Sequence, residues 1–213
     1  MMAFRPWLLP SLAPLLLMVA CASTPPPRLY VLGDPAEPAQ AMKVQSGRPV
    51  VRLLPVSVPE YLDTREILHR DRSNEVTASS TGLWAERLSV GVTDALAASL
   101  ATHLPDVVIV TGQPDVPPSR QIMVDVQQFE IGADGRCLLT ARWDYVSGNG
   151  GKVLHRESDS LVEQAAQLGD ASVAAAMTRA INRLAMRIVA ASPNPEIANV
   201  GGDKKQARGR PGI

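Results

Sequence analysis

The side chains with chemistry to offer are two cysteines, Cys21 and Cys137, and three histidines, His69, His103 and His155. The histidines stand far apart, without the His-Glu-x-x-His or His-x-His spacing of a zinc site, and no Gly-x-Ser-x-Gly elbow presents a serine nucleophile. No Gly-rich loop ends in Gly-Lys-Ser/Thr, so an ATPase phosphate loop is missing as well. The expectation is a protein that is not an enzyme and needs no metal or cofactor. Cys21 is different, because it closes an apolar run from Trp7 to Val19 through Leu15-Leu16-Leu17-Met18-Val19-Ala20. With Arg5 ahead of that run and small or aliphatic residues before the thiol, residues 1–20 read as a secretory signal peptide cleaved just before Cys21.

Cleavage before a cysteine resembles the processing of bacterial lipoproteins at their lipobox. In those proteins the new N-terminal cysteine carries diacylglycerol on its sulfur and a further acyl chain on its amine. Met18 stands where leucine is usual, a thioether of similar size and polarity. Pro10 and Pro14 interrupt the stretch, which argues against an uncleaved membrane helix of about 17 to 25 apolar residues. One acyl chain binds a membrane only marginally and two bind stably, so a processed Cys21 stays membrane-anchored. Ala22 follows it, in place of the aspartate that retains many Gram-negative lipoproteins in the inner membrane. By that resemblance the destination is the periplasmic face of the outer membrane.

The chain behind the signal is long enough for one domain with a real core. The 21 basic and 21 acidic residues of the full chain cancel, and loss of the signal peptide removes only Arg5, so nothing attracts nucleic acid electrostatically. Cys137 lies among alternating strand residues and is expected to be a buried, inert thiol. The division that follows is a signal peptide (1–20), a lipidated cysteine with a Pro-rich tether (21–27), one domain (28–192) and a basic tail (193–213).

Ala22 to Pro27 favours an extended polyproline conformation, and Arg28 to Leu32 then reads as a short strand. A second strand runs from Val50 to Leu54 and bends or reaches an edge at Pro55, which lacks a ladder donor. Glu66 to Arg70 and Glu75 to Ala78 make a hairpin. Trp84, Leu88, Val92, Ala95, Leu96 and Leu100 then recur at helical spacing, with an end near Leu104 imposed by Pro105. Val107 to Val110 suggests a strand buried on both faces, reached by an α/β crossover. Three strands follow as a meander: Ile122-Val124-Val126, then Cys137 to Tyr145 after the Asp134-Gly135 turn, then Lys152 to Val162 after Gly148 to Gly151. A last helix carries the stripe Val173, Ala176, Met177, Ala180, Ile181, Leu184 and Ile188, with Asp170 as its expected cap and Arg179, Arg183 and Arg187 as a solvated face. From Glu196 the periodicity ends and disorder is expected; Lys204, Lys205, Arg208 and Arg210 are either solvated or available to anionic lipid or a partner. The fold class is α/β, a mixed and largely antiparallel sheet packed by two main amphipathic helices.

The segment from Pro55 to Asp63 needs a cover. Pro55 and Pro59 prevent ordinary ladder pairing, while Val56, Val58, Tyr61 and Leu62 are apolar. Either the strip packs over its own sheet, or Pro55, Val56, Val58, Pro59, Tyr61 and Leu62 form a docking surface for a partner, another copy or lipid.

Four features together are similar to the ABC-type transport auxiliary lipoproteins: Tyr30-Val31-Leu32 shortly after the cysteine, Leu54 to Asp63, Leu83-Trp84-Ala85-Glu86-Arg87-Leu88, and the closing helix from Ala176 to Ala190. The resemblance implies an outer-membrane accessory of an intermembrane lipid transport system. Its partners would be an MCE-domain periplasmic protein and an inner-membrane transporter, and self-association into a homo-oligomer is open. It hands over no catalytic residue. Two other readings stay open: a lipoprotein that itself carries an amphiphile between helix and sheet, and an envelope assembly lipoprotein. Replacing Cys21 with serine is expected to abolish anchoring and leave the domain folded, because the Pro-rich stretch separates anchor from core. Membrane fractionation in high salt together with circular dichroism checks this; retention on membranes, or loss of the folded spectrum, contradicts it.

Overall fold

The computed structural model describes residues 25–34 and 47–192. Along the chain run β1 (Arg28–Tyr30), β2 (Val50–Leu53), a short 3-10 helix (Glu60–Leu62), β3 (Glu66–Arg70), β4 (Val76–Trp84) and α1 (Leu88–His103). After them come β5 (Val108–Val110), β6 (Arg120–Gly132), β7 (Arg136–Ser147), β8 (Val153–Gln164) and α2 (Asp170–Ala190). Cys21, most of the tether, the loop 35–46 and the tail 193–213 lie outside the described residues.

The eight strands form one mixed sheet whose spine is β6. On one side β6 pairs antiparallel with β7 from Arg120↔Ser147 to Ile131↔Cys137, and β8 continues antiparallel beyond β7. The other side of β6 is shared. Parallel β2 pairs with its first residues (Leu53↔Ile122) and parallel β3 with its last (Arg70↔Gly132). β5 flanks β2, whereas antiparallel β4 and then parallel β1 flank β3. The meander and its turns lie where the alternation places them, with the Gly135 N–H donating to the Gly132 carbonyl at 2.9 Å and the Gly150 N–H to the Ser147 carbonyl at 2.8 Å. The long ladders are thus antiparallel and the short ones parallel.

One face of this sheet is the core. Ile122, Val124, Val126, Phe129 and Ile131 of β6 stand opposite Tyr145, Trp143, Ala141, Leu139 and Cys137 of β7, and all are buried. The even-to-odd change along β6 is absorbed by a bulge between Val126 and Gln128, which keeps Phe129 and Ile131 facing inward. Both helices lie on this face, touching each other and bringing Val92, Leu96, Leu100, Val173, Ala180, Ile181 and Leu184 onto the strands. Truncating an aromatic as enclosed as Phe129 or Trp143 to alanine typically costs about 3–5 kcal/mol. The Tyr145 hydroxyl donates to the Ile188 carbonyl at 2.5 Å, tying β7 to the last turn of α2, and burial pushes its pKa up to about 12. Cys137 is fully buried, and burial raises its thiol to about 12, so it is inert as expected.

Four local expectations are corrected. The first strand ends at Tyr30 rather than Leu32, although Leu32 is buried. Trp84 does not open the helix: it ends β4, paired with Tyr30 and buried, and α1 begins at Leu88. Helical spacing cannot distinguish the two, since a strand's last inward residue followed by a short link falls in step with the next helix. β5 is an edge strand with half-buried Val108, Ile109 and Val110; only Val107 before it is fully buried. Gly169, not Asp170, is the N-cap residue of α2, and the buried Asp170 carboxylate accepts the Thr81 hydroxyl instead.

The arginine stripe of α2 faces solvent as expected, and it is also paired. Arg179 and Arg183 hold the Glu163 carboxylate at 3.2 and 2.8 Å, and Arg187 holds Asp159 at 3.0 Å. Arg179 and Arg183 also donate to the Gln164 and Val162 carbonyls, which no further strand among the described residues pairs. Four-residue spacing keeps these side chains on one helical face, above the C-terminal end of an edge strand, so they shield it from pairing with other chains.

Arg183 first, then Arg179, holds the Glu163 carboxyl below its ordinary value of 4.5. A depressed folded-state value means that this contribution is fully present above pH 4.5 and drains away as pH falls through the folded value. Glu163→Gln is therefore expected to lower stability at pH 7 and to flatten the acid-unfolding profile below pH 4.5. Circular dichroism melts across that range read it; a profile parallel to the native one contradicts it.

Candidate docking site

Both helices cover the same side of the sheet, and the opposite side presents the outward residues of the meander. Charge pairs link its strands there: Arg142 with Asp125 at 3.0 Å, and Arg156 with both oxygens of Asp144 at 2.6 Å. Hydrogen bonding to Arg156 holds the Asp144 carboxyl below the usual carboxylate range. The Thr140 and Ser160 hydroxyls meet at 3.0 Å, two residues along β7 from Arg142.

The Pro55 to Asp63 segment runs beside β6, between the places where β2 and β3 pair with it. Leu54 and Ser57 donate to the Ile122 and Val124 carbonyls, and Val126 donates to the Ser57 carbonyl. Pro55, which can donate nothing, falls between these bonds and is exposed. The Val56 N–H turns the other way and donates to the Thr93 hydroxyl of α1 at 2.9 Å, and its side chain joins the core. Val58 packs half-buried against the core, and Pro59 is half-buried at the start of the 3-10 helix. Leu62 is buried, whereas Tyr61, on the same turn, is 46% exposed. The six residues named from the sequence therefore divide. Val56 and Leu62 cover their own sheet, Val58 and Pro59 lie at the boundary, and Pro55 and Tyr61 remain outward.

Tyr61 is joined by two residues that the sequence reading passed over. Its hydroxyl meets the Glu130 carboxylate, and the Arg70 guanidinium donates to Glu130 at 2.7 Å and to the Tyr61 hydroxyl at 3.1 Å. The same guanidinium lies 6.0 Å from the Tyr61 ring centroid, at the outer limit of a cation–π contact. Gln128 closes the cluster on the second Glu130 oxygen at 3.3 Å. Glu130 is only 6% exposed even though it points away from the helices. An acid between Phe129 and Ile131 in an alternating strand was the signal for it; its partners, from a different strand and a 3-10 turn, left no sequence trace. Beside the cluster lies an open cavity of about 220 Å³, walled by Arg70, Arg72, Glu130, Asp134 and Arg136. The arrangement is a preorganised polar and aromatic surface, suited to recognition.

The histidines lie apart on β3, at the end of α1 and on β8, where His155 meets Glu157 at 3.1 Å. Among the described residues no three His, Cys, Asp or Glu side chains are placed to hold a metal ion, and no helix is long and apolar enough to cross a membrane.

The sequence model described as ABC-type transport auxiliary lipoprotein component matches residues 30–189. Among solved structures, an uncharacterized protein superposes with a TM-score of 0.64 at 16% identity, over 77% of this chain and 97% of its own. Protein XCC0632 from Xanthomonas campestris superposes with a TM-score of 0.58 at 16% identity, over 76% of this chain and 90% of its own. At such identities the likeness concerns the fold. No curated protein matches the chain.

Burial first, and then Glu130, pushes the Tyr61 phenol above its ordinary value of 10.0, with Arg70 pulling the other way. Glu130→Gln removes the charge that disfavours phenolate, so the Tyr61 titration is expected to fall part of the way toward 10.0. Alkaline titration of ring-labelled tyrosine by NMR resolves it from Tyr145; an unchanged Tyr61 curve means the Glu130 contact does not form in solution.

Proposed function

From the premise that the chain belongs to the ABC-type transport auxiliary lipoprotein family, we propose that it is a non-enzymatic, lipid-anchored accessory of an intermembrane lipid transport system of the ABC/MCE type. Cys21 carries the anchor at the periplasmic face of the outer membrane. The Pro-rich stretch after it lets the domain meet an MCE-domain periplasmic protein, whose inner-membrane transporter drives the process. Its mechanism is positional: a tether confines the docking face near the membrane and so raises its effective concentration for the partner. The observation that carries this reading is family membership over residues 30–189, and the helix-free sheet face with Tyr61, Arg70 and Glu130 supplies its surface. That surface is rich in arginine and presents an exposed aromatic, residue types enriched where interfaces bind.

A carrier that holds an amphiphile between helix and sheet is less well supported. The apolar cleft beside Leu32, Trp84 and Leu88 encloses about 10 Å³, room for roughly one water and not an acyl chain.

In-cell cross-linking from a tagged, lipidated copy, read by mass spectrometry, tests partner and place together. The expected result is an MCE-domain protein linked near Pro55 or Tyr61, with the yield falling severalfold in Tyr61→Ala. Capture of unrelated envelope proteins alone, in cells that contain the MCE component, overturns the transport role in favour of envelope assembly.

A further inference from the structure

The Pro-rich stretch reaches the domain at a second cavity, remote in sequence and role from the Tyr61 cluster. It measures about 580 Å³ and is walled by Pro25, Arg28, Tyr30, Thr81, Gln167 and Asp170. That volume lies within the range of small-molecule sites, about 300–1,000 Å³. Asp170 is a carboxylate only 6% exposed, steadied by the Thr81 hydroxyl at 2.6 Å on Oδ2. A carboxylate accepts at about four positions, so one donor leaves most of its capacity for a ligand. Gly82 makes the wall possible: a Cβ there would approach Asp170 Oδ2 to 2.6 Å and the Tyr30 ring to 2.8 Å. Arg28, by contrast, is exposed, and among the described residues no carboxylate pairs with it. A cation at the mouth and an enclosed anion behind it make a charge pattern complementary to a zwitterion.

Chain length identifies the source of such a ligand. Pro25 follows Cys21 by four positions (25 − 21 = 4), and an extended chain spans at most about 3.6 Å per residue, or roughly 14 Å in all. A cavity walled by Pro25 therefore stays close to the headgroups of whatever leaflet holds the anchor. Leu168, 55% exposed next to Gln167, offers an apolar shoulder at the same end of the domain.

We infer that this cavity receives the phosphoethanolamine headgroup of a phospholipid in the anchoring leaflet, with the phosphate on Arg28 and the ammonium on Asp170. The source of the ligand rests on the anchoring of Cys21; the chemistry of the site does not. A glycerol headgroup would satisfy Arg28 and leave Asp170 without its counter-charge.

The test uses the full lipidated protein in phosphatidylcholine vesicles containing equal fractions of either phosphatidylethanolamine or phosphatidylglycerol, each with a photoreactive group next to the glycerol backbone. Peptide mapping is expected to show phosphatidylethanolamine labelling the segments around Arg28 and Asp170, roughly tenfold over phosphatidylglycerol, the scale of one charge-assisted pair. Arg28→Glu, at an exposed position, is expected to lose that labelling with an unchanged melting curve. Asp170→Asn is expected to lose the preference between the two lipids. Equal labelling by both lipids, or labelling indifferent to Arg28→Glu, overturns the site. Competition by soluble glycerophosphoethanolamine at concentrations matching the lipid would overturn the membrane as the source. The mass of the N-terminal peptide reports acylation of Cys21 separately, so a failed anchor and a failed site are told apart.

Discussion

The register between β6 and β7 is the constraint on which the rest of the domain depends. From Ile122↔Tyr145 to Ile131↔Cys137 it brings the large buried side chains of both strands to one face, and a single bulge preserves that parity along the whole ladder. A slip of one residue would turn Phe129, Trp143 and Tyr145 to solvent and bring Glu130, Arg142 and Asp144 against the helices. Because β6 is long, its other side has room for two parallel partners, β2 below and β3 above, and the Pro55 to Asp63 segment bridges the gap between them. The docking segment is therefore a connection that the spine itself imposes.

The same register produces two unlike surfaces. On the covered face, α1 and α2 bury their apolar sides, and the arginines of α2 reach past them to the margin of β8. Charge there serves to close an edge. On the open face, charge is paired across strands, Arg142 with Asp125 and Arg156 with Asp144, so a broad sheet surface remains wet and specific instead of adhesive. The exposed pair of Arg142 with Asp125 adds little stability, whereas the Asp144 end of the other pair is buried.

The domain is also polar from end to end. Pro25 lies beside the start of α2, and α2 then runs 21 residues, about 31 Å, so the two ends of the described chain are separated by the length of that helix.

Much of this protein is decided by its sequence alone. Cys21 behind an apolar run, the strict alternation of Cys137 to Tyr145, the Asp134-Gly135 turn and the stripe of α2 are local patterns, each readable because the physics behind it acts over a few neighbouring residues. The mixed sheet with two helices, the order of its main elements and the burial of Cys137 follow from them. What tertiary structure decided involves partners distant in the chain. Trp84 belongs to a strand because Tyr30 pairs with it; Val108 to Val110 lies at an edge because no described strand pairs its far side. Asp170 meets Thr81 instead of capping its helix, and the solvent-facing Arg179, Arg183 and Arg187 also find Glu163 and Asp159. Glu130 shows the boundary most plainly: in sequence it is one outward polar residue of an alternating strand, and only the fold buried it and brought Arg70 and Tyr61 close to it.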